Sequence, residues 1–192
     1  MKTKVFSVIA AVALLFTLGS CAGKTGKAEV QGPRILVAYF SQGGNTQTLA
    51  TLIHDSIGGD IFAIEPETPY PSEGTHDAVQ KQIDEGVLPT LKGNVENLDS
   101  YDVIFVGTPN WFGSVALPVK AFLQSNQLAG KKVVPFATFG GGAGNCLTEI
   151  AELCPNSTIL EGYAVSGDDV RDRPNEVKKN VSTWLNNIKT QF

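Results

Sequence analysis

Apolar runs that resemble buried strands alternate with helical segments along most of the chain, and this alternation limits the possible folds more than any other feature. Residues 35–40 and 103–106 are continuous apolar runs, as expected for strands buried on both faces. The last segment carries an amphipathic stripe at helical spacing, formed by Val177, Val181, Trp184, Leu185 and Ile188. Strands that alternate with helices form right-handed βαβ units around a parallel sheet. We therefore predict an α/β fold, a three-layer doubly wound sheet of five parallel strands.

The other predicted elements follow the same order. The remaining strands are predicted at 60–65, 133–137 and within 157–166, and the helices before the last at 49–57, 76–85, 117–125 and about 145–153. In such sheets, ligands bind outside the carboxyl ends of the strands, near the point where the strand order reverses. Three segments follow buried strands directly and are the candidate site, namely 41–46, 107–114 and 138–146.

The N-terminus has a different organisation. Lys2 and Lys4 precede an apolar run over residues 5–18, and small residues then lead to Cys21. This layout is typical of a secretory signal, and the run is shorter than the roughly 20 residues that a membrane-spanning helix needs. The small residues ending in Cys resemble a bacterial lipobox, in which cleavage before Cys21 is followed by acylation of its thiol. A plain secretory signal with an unrelated Cys is the alternative.

These features predict three regions: a lipoprotein signal peptide over 1–20, a flexible tether over 21–33 and a folded domain over 34–192. The expected location is outside the cytoplasm, with the chain held on a bacterial membrane by a lipid at Cys21.

Charge and residue types exclude several classes of function. The chain has 19 acidic and 15 basic residues and a net charge of −4, so it gains nothing from counterion release on nucleic acid. His54 and His76 stand apart from other ligand-forming residues, so no metal site and no catalytic residue is predicted. Cys146 and Cys154 are eight positions apart, or roughly 12 Å along one helix, which is too far for a disulfide. We interpret them as small buried hydrophobic residues, with a redox role for Cys146 as the alternative.

The first candidate segment has the chemistry of a phosphate-binding loop. It contains Ser41, Gln42, Gly43, Gly44, Asn45 and Thr46. The glycines let the backbone approach an anion, and a helix N-terminus supplies unpaired N–H groups. Since the loop has no Lys or Arg, it suits a phosphate monoester held by neutral donors better than a nucleoside triphosphate. An ordinary Gly-rich turn between a strand and a helix is the alternative.

Taken with its surroundings, this loop resembles the phosphate-binding fingerprint of the flavodoxin-like family, a Ser/Thr-x-Thr-Gly-x-Thr pattern after the first strand. The similarity is greatest to members that read S-x-x-G-N-T and later G-x-P-x-W-x-G, and it extends over about residues 34–190. Gly43 departs from the pattern, because a Thr is usual there and one hydroxyl donor is missing. The resemblance implies a sheet order of 2-1-3-4-5 and a bound flavin mononucleotide (FMN).

The resemblance also assigns roles to the other two segments. The second supplies Thr108, Pro109, Asn110, Trp111, Phe112 and Gly113. Trp111 occupies the family's Pro-x-Trp position and is expected to stack on the isoalloxazine ring, Asn110 to bond its edge, and Gly113 to permit backbone flips. The third supplies Thr138, Phe139, Gly140, Gly141 and Gly144, and is expected beside the pyrimidine end and the dimethylbenzene face. Asn145 is expected to cap the following helix instead.

Three functions are compatible with these features. An electron-transfer flavoprotein, which passes electrons to a redox partner protein or a small acceptor, agrees with the absence of a catalytic dyad. An FMN-dependent NAD(P)H:quinone-type oxidoreductase is the second, although NAD(P)H is not expected outside the cytoplasm. A flavin-free binding module of the same fold is the third, because of Gly43.

Overall fold

The computed structural model describes residues 32–192. The predicted signal peptide, Cys21 and nearly all of the predicted tether lie outside the described residues. The strands of the described region are β1 (Ile35–Tyr39), β2 (Asp60–Ala63), β3 (Val103–Trp111), β4 (Ser114–Val115), β5 (Lys132–Phe139), β6 (Thr158–Ile159) and β7 (Tyr163–Ser166). The α-helices are α1 (Asn45–Ile57), α2 (Thr75–Glu85), α3 (Leu117–Ser125), α4 (Cys146–Leu153), α5 (Gly167–Asp172) and α6 (Pro174–Ile188).

The sheet has the order β2-β1-β3-β5, and both β6 and β7 pair with β5 at its outer side. All of these pairings are parallel, and the short β4 adds an antiparallel pairing to the end of β3. The order 2-1-3-4-5 and the doubly wound α/β fold are therefore confirmed, with the fifth position divided between two short strands.

A proline explains the division of the fifth strand. Pro135 lies in β5 between the segments that pair with β6 and with β7. It has no N–H to donate to the neighbouring strand. A Cβ at Gly162, in the gap between β6 and β7, would lie 2.7 Å from the Pro135 carbonyl oxygen. The strand next to β5 consequently loses its pairing beside Pro135, where β6 has ended, and pairs with β5 again from Tyr163 in β7.

Alternate residues of the buried strands enter two separate cores, which makes the molecule three layers thick. Ile35, Val37 and Tyr39 pack with α1 and α6 on one face. Leu36 and Ala38 pack with α3 and α4 on the other face. The stripe predicted for the last helix is buried in the first core, as expected for an amphipathic helix on a sheet.

Candidate functional site

The carboxyl ends of β1, β3 and β5 meet around a cleft of about 180 Å³. Residues from all three predicted segments line it, namely Gln42, Gly43, Asn45, Pro109, Asn110, Trp111, Thr138, Phe139 and Gly140. The other predicted site residues do not line the cleft in this structure, namely Ser41, Gly44, Thr46, Thr108, Phe112, Gly113, Gly141 and Gly144. The topology therefore brings the three segments together, as expected for neighbouring parallel strands.

The first segment forms a tight turn that starts α1. Gly44 is the N-cap residue with φ 88°, a left-handed conformation that glycine adopts without strain. The Ser41 hydroxyl accepts the Gly44 N–H at 3.1 Å and so closes the turn. The N–H groups of the first turn of α1 have no partner within the helix. A Cβ at Gly43 would meet nothing within 4 Å, so this glycine leaves open space above the turn.

Thr46 and Thr138 join the first segment to the third below the cleft. Their hydroxyl oxygens lie 2.8 Å apart, and both residues are buried. We expected the Thr46 hydroxyl to be available to an anion on the loop. In the structure this hydroxyl is buried and hydrogen-bonds to Thr138 at the end of β5.

The second segment is a β-hairpin and not the loop that the sequence predicted. β3 continues through Thr108 and Pro109 as far as Trp111 and then pairs with β4. Phe112 and Gly113 have φ values of 55° and 79°, so both lie in the left-handed region, as in the type I′ turn of two-residue hairpins. The hairpin gives the segment a fixed direction that a loop would lack.

Thr108 supports this hairpin from inside the protein. Its side chain is fully buried, and its hydroxyl donates to the Pro109 carbonyl at 2.8 Å and accepts the Ala116 N–H at 3.0 Å. Thr108 thus links β3 to the start of α3, and it does not line the cleft in this structure.

Trp111 belongs to an aromatic cluster at the edge of the cleft. Its ring packs edge-to-face on Phe40, with ring centroids 5.2 Å apart, and on Tyr70, at 5.0 Å. Such contacts fix the orientation of the indole. Phe112 points away, is 48% exposed and contacts only the His76 ring among aromatic neighbours of the described chain, with centroids 4.7 Å apart. Of the two predicted rings, Trp111 is therefore the one that the cleft presents.

The hairpin and the Gly-rich third segment are bonded to each other directly. The Asn110 side-chain amide donates to the Gly142 carbonyl, and the Asn145 N–H donates to the Gly113 carbonyl at 2.8 Å. A Cβ at Gly144, which has φ 57°, would overlap the Gly113 carbonyl, so the close approach requires glycine. Asn145 lies at the N-cap position of α4, but its side chain makes no capping hydrogen bond, contrary to our expectation.

Glu149, which the sequence analysis did not single out, connects the hairpin to α3 and α4. Its Oε2 accepts the Ser114 hydroxyl at 2.6 Å and the Val115 N–H at 2.8 Å, and its Oε1 pairs with Lys120 Nζ at 2.6 Å. Partial burial alone would raise the pKa of this carboxyl group, but the donors from Lys120, Ser114 and Val115 outweigh it and lower the pKa. The carboxylate therefore stays charged and holds the return strand of the hairpin in place.

One buried polar atom at the cleft lacks a partner. Asn110 Oδ1 is buried and accepts no hydrogen bond from the described residues, although the Nδ2 group of the same side chain is bonded. Buried acceptors are nearly always paired, so this atom has the capacity to accept a hydrogen bond from a ligand or from a water molecule.

Sequence reasoning missed the side of the cleft that α5 forms. Gly167, Asp168 and Arg171 line the cleft beside the loop at 41–46. Ser166 caps this helix, and its hydroxyl accepts the Asp168 N–H at 3.1 Å. The Ser-Gly-Asp-Asp sequence at 166–169 is a helix-start signal that could have revealed the element.

A second cavity, of about 280 Å³, adjoins the cleft on the β2 side and shares Gln42 with it. Its walls include Phe40 and Tyr70, so the aromatic cluster separates the two spaces. The Lys92–Glu65 ion pair, at 2.8 Å, lies at its rim. Burial raises the pKa of Tyr70 to about 12 despite a hydrogen bond to Gln82, so this phenol stays neutral.

Four potentially reactive side chains of the described region do not line the cleft, namely Cys146, Cys154, His54 and His76. Cys146 and Cys154 are buried, unpaired thiols, and burial raises the pKa of each to about 11, so neither is a thiolate at neutral pH. No group of three or more metal-ligating side chains occurs within residues 32–192. In the same part of the chain, no helix is long and apolar enough to cross a membrane.

The fold and the cleft together define a flavodoxin-like α/β protein, in which strand ends, a phosphate-type turn and an aromatic hairpin surround one binding site. The Flavodoxin family model matches residues 34–188, and the chain belongs to that family.

Solved structures agree with this assignment. A Bacteroides eggerthii DSM 20697 protein assigned as a flavoprotein is 30% identical with a TM-score of 0.69, and the match covers 82% of this chain and 99% of that one. A Bacteroides uniformis ATCC 8492 protein with the same assignment is 26% identical with a TM-score of 0.68, covering 81% and 99%. A Lactobacillus acidophilus NCFM flavoprotein in complex with FMN is 23% identical with a TM-score of 0.60, covering 74% and 98%.

Proposed function

We propose that the chain binds FMN in this cleft and acts as an electron-transfer flavoprotein. The observation that carries the proposal is the convergence of the phosphate-type turn, Trp111 and the unpaired Asn110 Oδ1 on one cleft. Each of these features suits a different part of FMN, namely its phosphate, its ring face and its ring edge.

The turn at Ser41–Thr46 would hold the phosphate. Ser41 Oγ already accepts the Gly44 N–H, so its own O–H is free to donate. The first-turn N–H groups of α1 and the positive end of the helix favour an anion at the same place. The open space above Gly43 admits the phosphate oxygens, although the hydroxyl usual at this position is missing.

Trp111 and Asn110 would hold the flavin ring. The edge-to-face contacts with Phe40 and Tyr70 keep the indole from turning, so its cleft-facing side is ready to stack before the ligand arrives. Asn110 Oδ1 would accept an N–H of the ring and so gain the partner that it lacks. The comparisons support the proposal, since one structural relative binds FMN and two others are assigned as flavoproteins.

The residues of the cleft favour an electron carrier over an enzyme with acid–base chemistry. Among described residues, the ionisable side chains that line the cleft are Asp168 and Arg171, and these two pair with each other. Bound FMN supplies the redox chemistry, and the protein supplies stacking, hydrogen bonds and exclusion of water. An acceptor would therefore need only to reach the flavin edge.

The test begins with the visible spectrum of the purified chain and a titration of FMN fluorescence. We expect flavin absorbance, or quenching on titration, and no sustained oxidation of NADH or NADPH with a quinone. Absence of both flavin signals would refute FMN binding and leave a flavin-free module. Robust NAD(P)H turnover would replace the carrier with a quinone-type oxidoreductase.

A pair of neighbouring variants tests the ring site. Trp111→Ala should weaken FMN binding roughly 5- to 160-fold, because stacking on an aromatic side chain contributes about 1–3 kcal/mol per base. Phe112→Ala removes the adjacent ring, which does not line the cleft, and should leave the affinity unchanged. Equal effects of the two variants would contradict stacking on Trp111.

We also propose that the chain is exported and anchored to a bacterial membrane through Cys21, with its redox partner or small acceptor on the same side. The support is the sequence layout of residues 1–21. Metabolic labelling with a radioactive fatty acid should label the wild-type chain and not Cys21→Ser. Equal labelling of both chains would contradict lipidation at Cys21.

A further inference from the structure

One ion pair stands at the end of the cleft where the phosphate is proposed to bind. Arg171 and Asp168 lie one turn apart on α5, and the Arg171 Nη2 group donates to Asp168 Oδ1. Both side chains line the cleft together with Gln42, Gly43 and Asn45 of the phosphate-type turn. The cation that this turn lacks in sequence is therefore supplied by another part of the chain.

Gly167 allows α5 to approach the turn this closely. It is buried, and a Cβ there would overlap the side-chain amide of Asn45, the first residue of α1. The same Cβ would lie 3.5 Å from Arg171 Nη1. The guanidinium group is therefore near the N-terminus of α1, with Nη2 turned to Asp168 and Nη1 on the side of Asn45.

The charges explain why the pair matters to a phosphate. A phosphate monoester carries a charge of about −1.5 to −2 at pH 7. Asp168 alone would repel it, and Arg171 offsets that repulsion. An arginine has five N–H donors in a planar fork, so one guanidinium can hold a carboxylate and a phosphate oxygen together.

We propose that Arg171 contacts the phosphate of the bound flavin and that the Arg171–Asp168 pair makes the cleft select FMN over riboflavin, its analogue without phosphate. This inference rests on the proposed FMN binding and adds a specificity-determining residue to it. Because Arg171 is 54% exposed, its contribution is that of a half-exposed ion contact and is weakened by salt.

The same helix region contains a matched control. Arg173 donates to Asp169 as Arg171 does to Asp168, and Arg173 is similarly exposed, at 59%. Neither Arg173 nor Asp169 lines the cleft. Substitution of Arg173 therefore removes the same charge from nearly the same place without touching the proposed phosphate site.

The experiment measures the affinity of the purified chain for FMN and for riboflavin by fluorescence quenching, at low and high NaCl. Arg171→Gln should weaken FMN binding roughly 2- to 5-fold at low salt and leave riboflavin binding unchanged. Arg173→Gln should change neither affinity, and Arg171→Lys should retain most of the preference for FMN. Asp168→Asn should strengthen FMN binding, and Asp168→Asn with Arg171→Gln should recover part of the loss.

The outcomes separate this inference from the proposed function. An FMN-to-riboflavin affinity ratio in Arg171→Gln equal to that of the wild type would overturn the role of Arg171 while leaving the flavin site intact. Equal losses of FMN affinity in Arg171→Gln and Arg173→Gln would show that only the net charge of the protein matters, and this would also overturn the role of Arg171. If the wild-type chain binds neither flavin, the proposed function itself fails. If Arg171→Gln does not fold, the FMN-to-riboflavin affinity ratios of Arg171→Lys and Asp168→Asn decide. A raised ratio in Asp168→Asn with a largely retained ratio in Arg171→Lys supports the role of the pair, and a wild-type ratio in Asp168→Asn overturns it.

Discussion

Replacing Glu149 by Gln should destabilise the domain, because this carboxylate holds the hairpin that carries Trp111. Its two oxygens accept hydrogen bonds from Ser114, Val115 and Lys120 at 2.6–2.8 Å. A glutamine side chain has nearly the same size but only one oxygen. Its NH₂ group must therefore face either the Lys120 ammonium group or the donors of β4.

The size of the effect follows from these contacts. A hydrogen bond to a charged group contributes about 1.5–3 kcal/mol when it is shielded from water. The Glu149 and Lys120 side chains are only 21% and 24% exposed, so solvent screening reduces the effect moderately. We expect the free energy of unfolding to fall by about 2 kcal/mol, which corresponds to a loss in Tm of about 4–8 °C for a domain of this size.

Urea unfolding at pH 7 measures this loss, with Glu152→Gln as the control. Glu152 lies on the same helix, is exposed and makes no ion pair or side-chain hydrogen bond within residues 32–192.

The lowered pKa of Glu149 also makes its contribution to stability depend on pH. Its stabilisation is complete above the ordinary carboxyl pKa of 4.5 and is lost as the pH falls through the lower folded value. The difference in stability between wild type and Glu149→Gln should therefore narrow as the pH falls below 4.5. Equal losses in the two variants, or a gap that persists in acid, would refute the reasoning.

Three further changes test other parts of the site. Gly144→Ala should lower the free energy of unfolding by more than about 1 kcal/mol, because its Cβ would overlap the Gly113 carbonyl, and a Tm within error of wild type would contradict that contact. Phe112→Asn should raise the free energy of unfolding by up to about 1 kcal/mol, since Asn tolerates the left-handed conformation of this turn, and a loss of stability would show that the ring packs favourably. Cys146, whose pKa burial raises to about 11, should react with iodoacetamide at pH 8 only after unfolding, and rapid alkylation of the native chain would contradict its burial.

The sequence predicted best those elements whose apolar residues recur with the period of a helix or a strand. α3 and the buried stripe of α6 agree with expectation, because the apolar residues that recur at helical spacing are the ones that pack on the sheet. The ends of β1 and β5 also agree to within a few residues. The phosphate-type turn was found because a strand end, two glycines and a helix start are adjacent in the chain.

The hairpin could not be predicted from local signals. Gly107 and Pro109 both indicated the end of a strand, yet β3 continues through them. Gly107 is a glycine for a packing reason, since a Cβ there would overlap the Phe136 ring of the neighbouring strand. Phe136 lies far along the chain from Gly107. The local sequence therefore cannot distinguish a glycine inside a strand from a glycine that ends one.

The positive charge of Arg171 beside the turn at 41–46 could not be predicted from the local sequence either, and one substitution tests how it is placed there. The turn itself contains no basic residue, and Arg171 lies near it because α5 packs closely on Asn45 at Gly167. Gly167→Ala keeps every charge, but its Cβ would overlap the Asn45 side-chain amide, so that amide or α5 must move at the phosphate end of the cleft. We expect this variant to lower the FMN-to-riboflavin affinity ratio as Arg171→Gln does. Gly93→Ala is the control, because a Cβ at Gly93 meets nothing within 4 Å. If Gly167→Ala retains the wild-type ratio, the approach of α5 to α1 does not govern phosphate selection, and the cation must act from a greater distance.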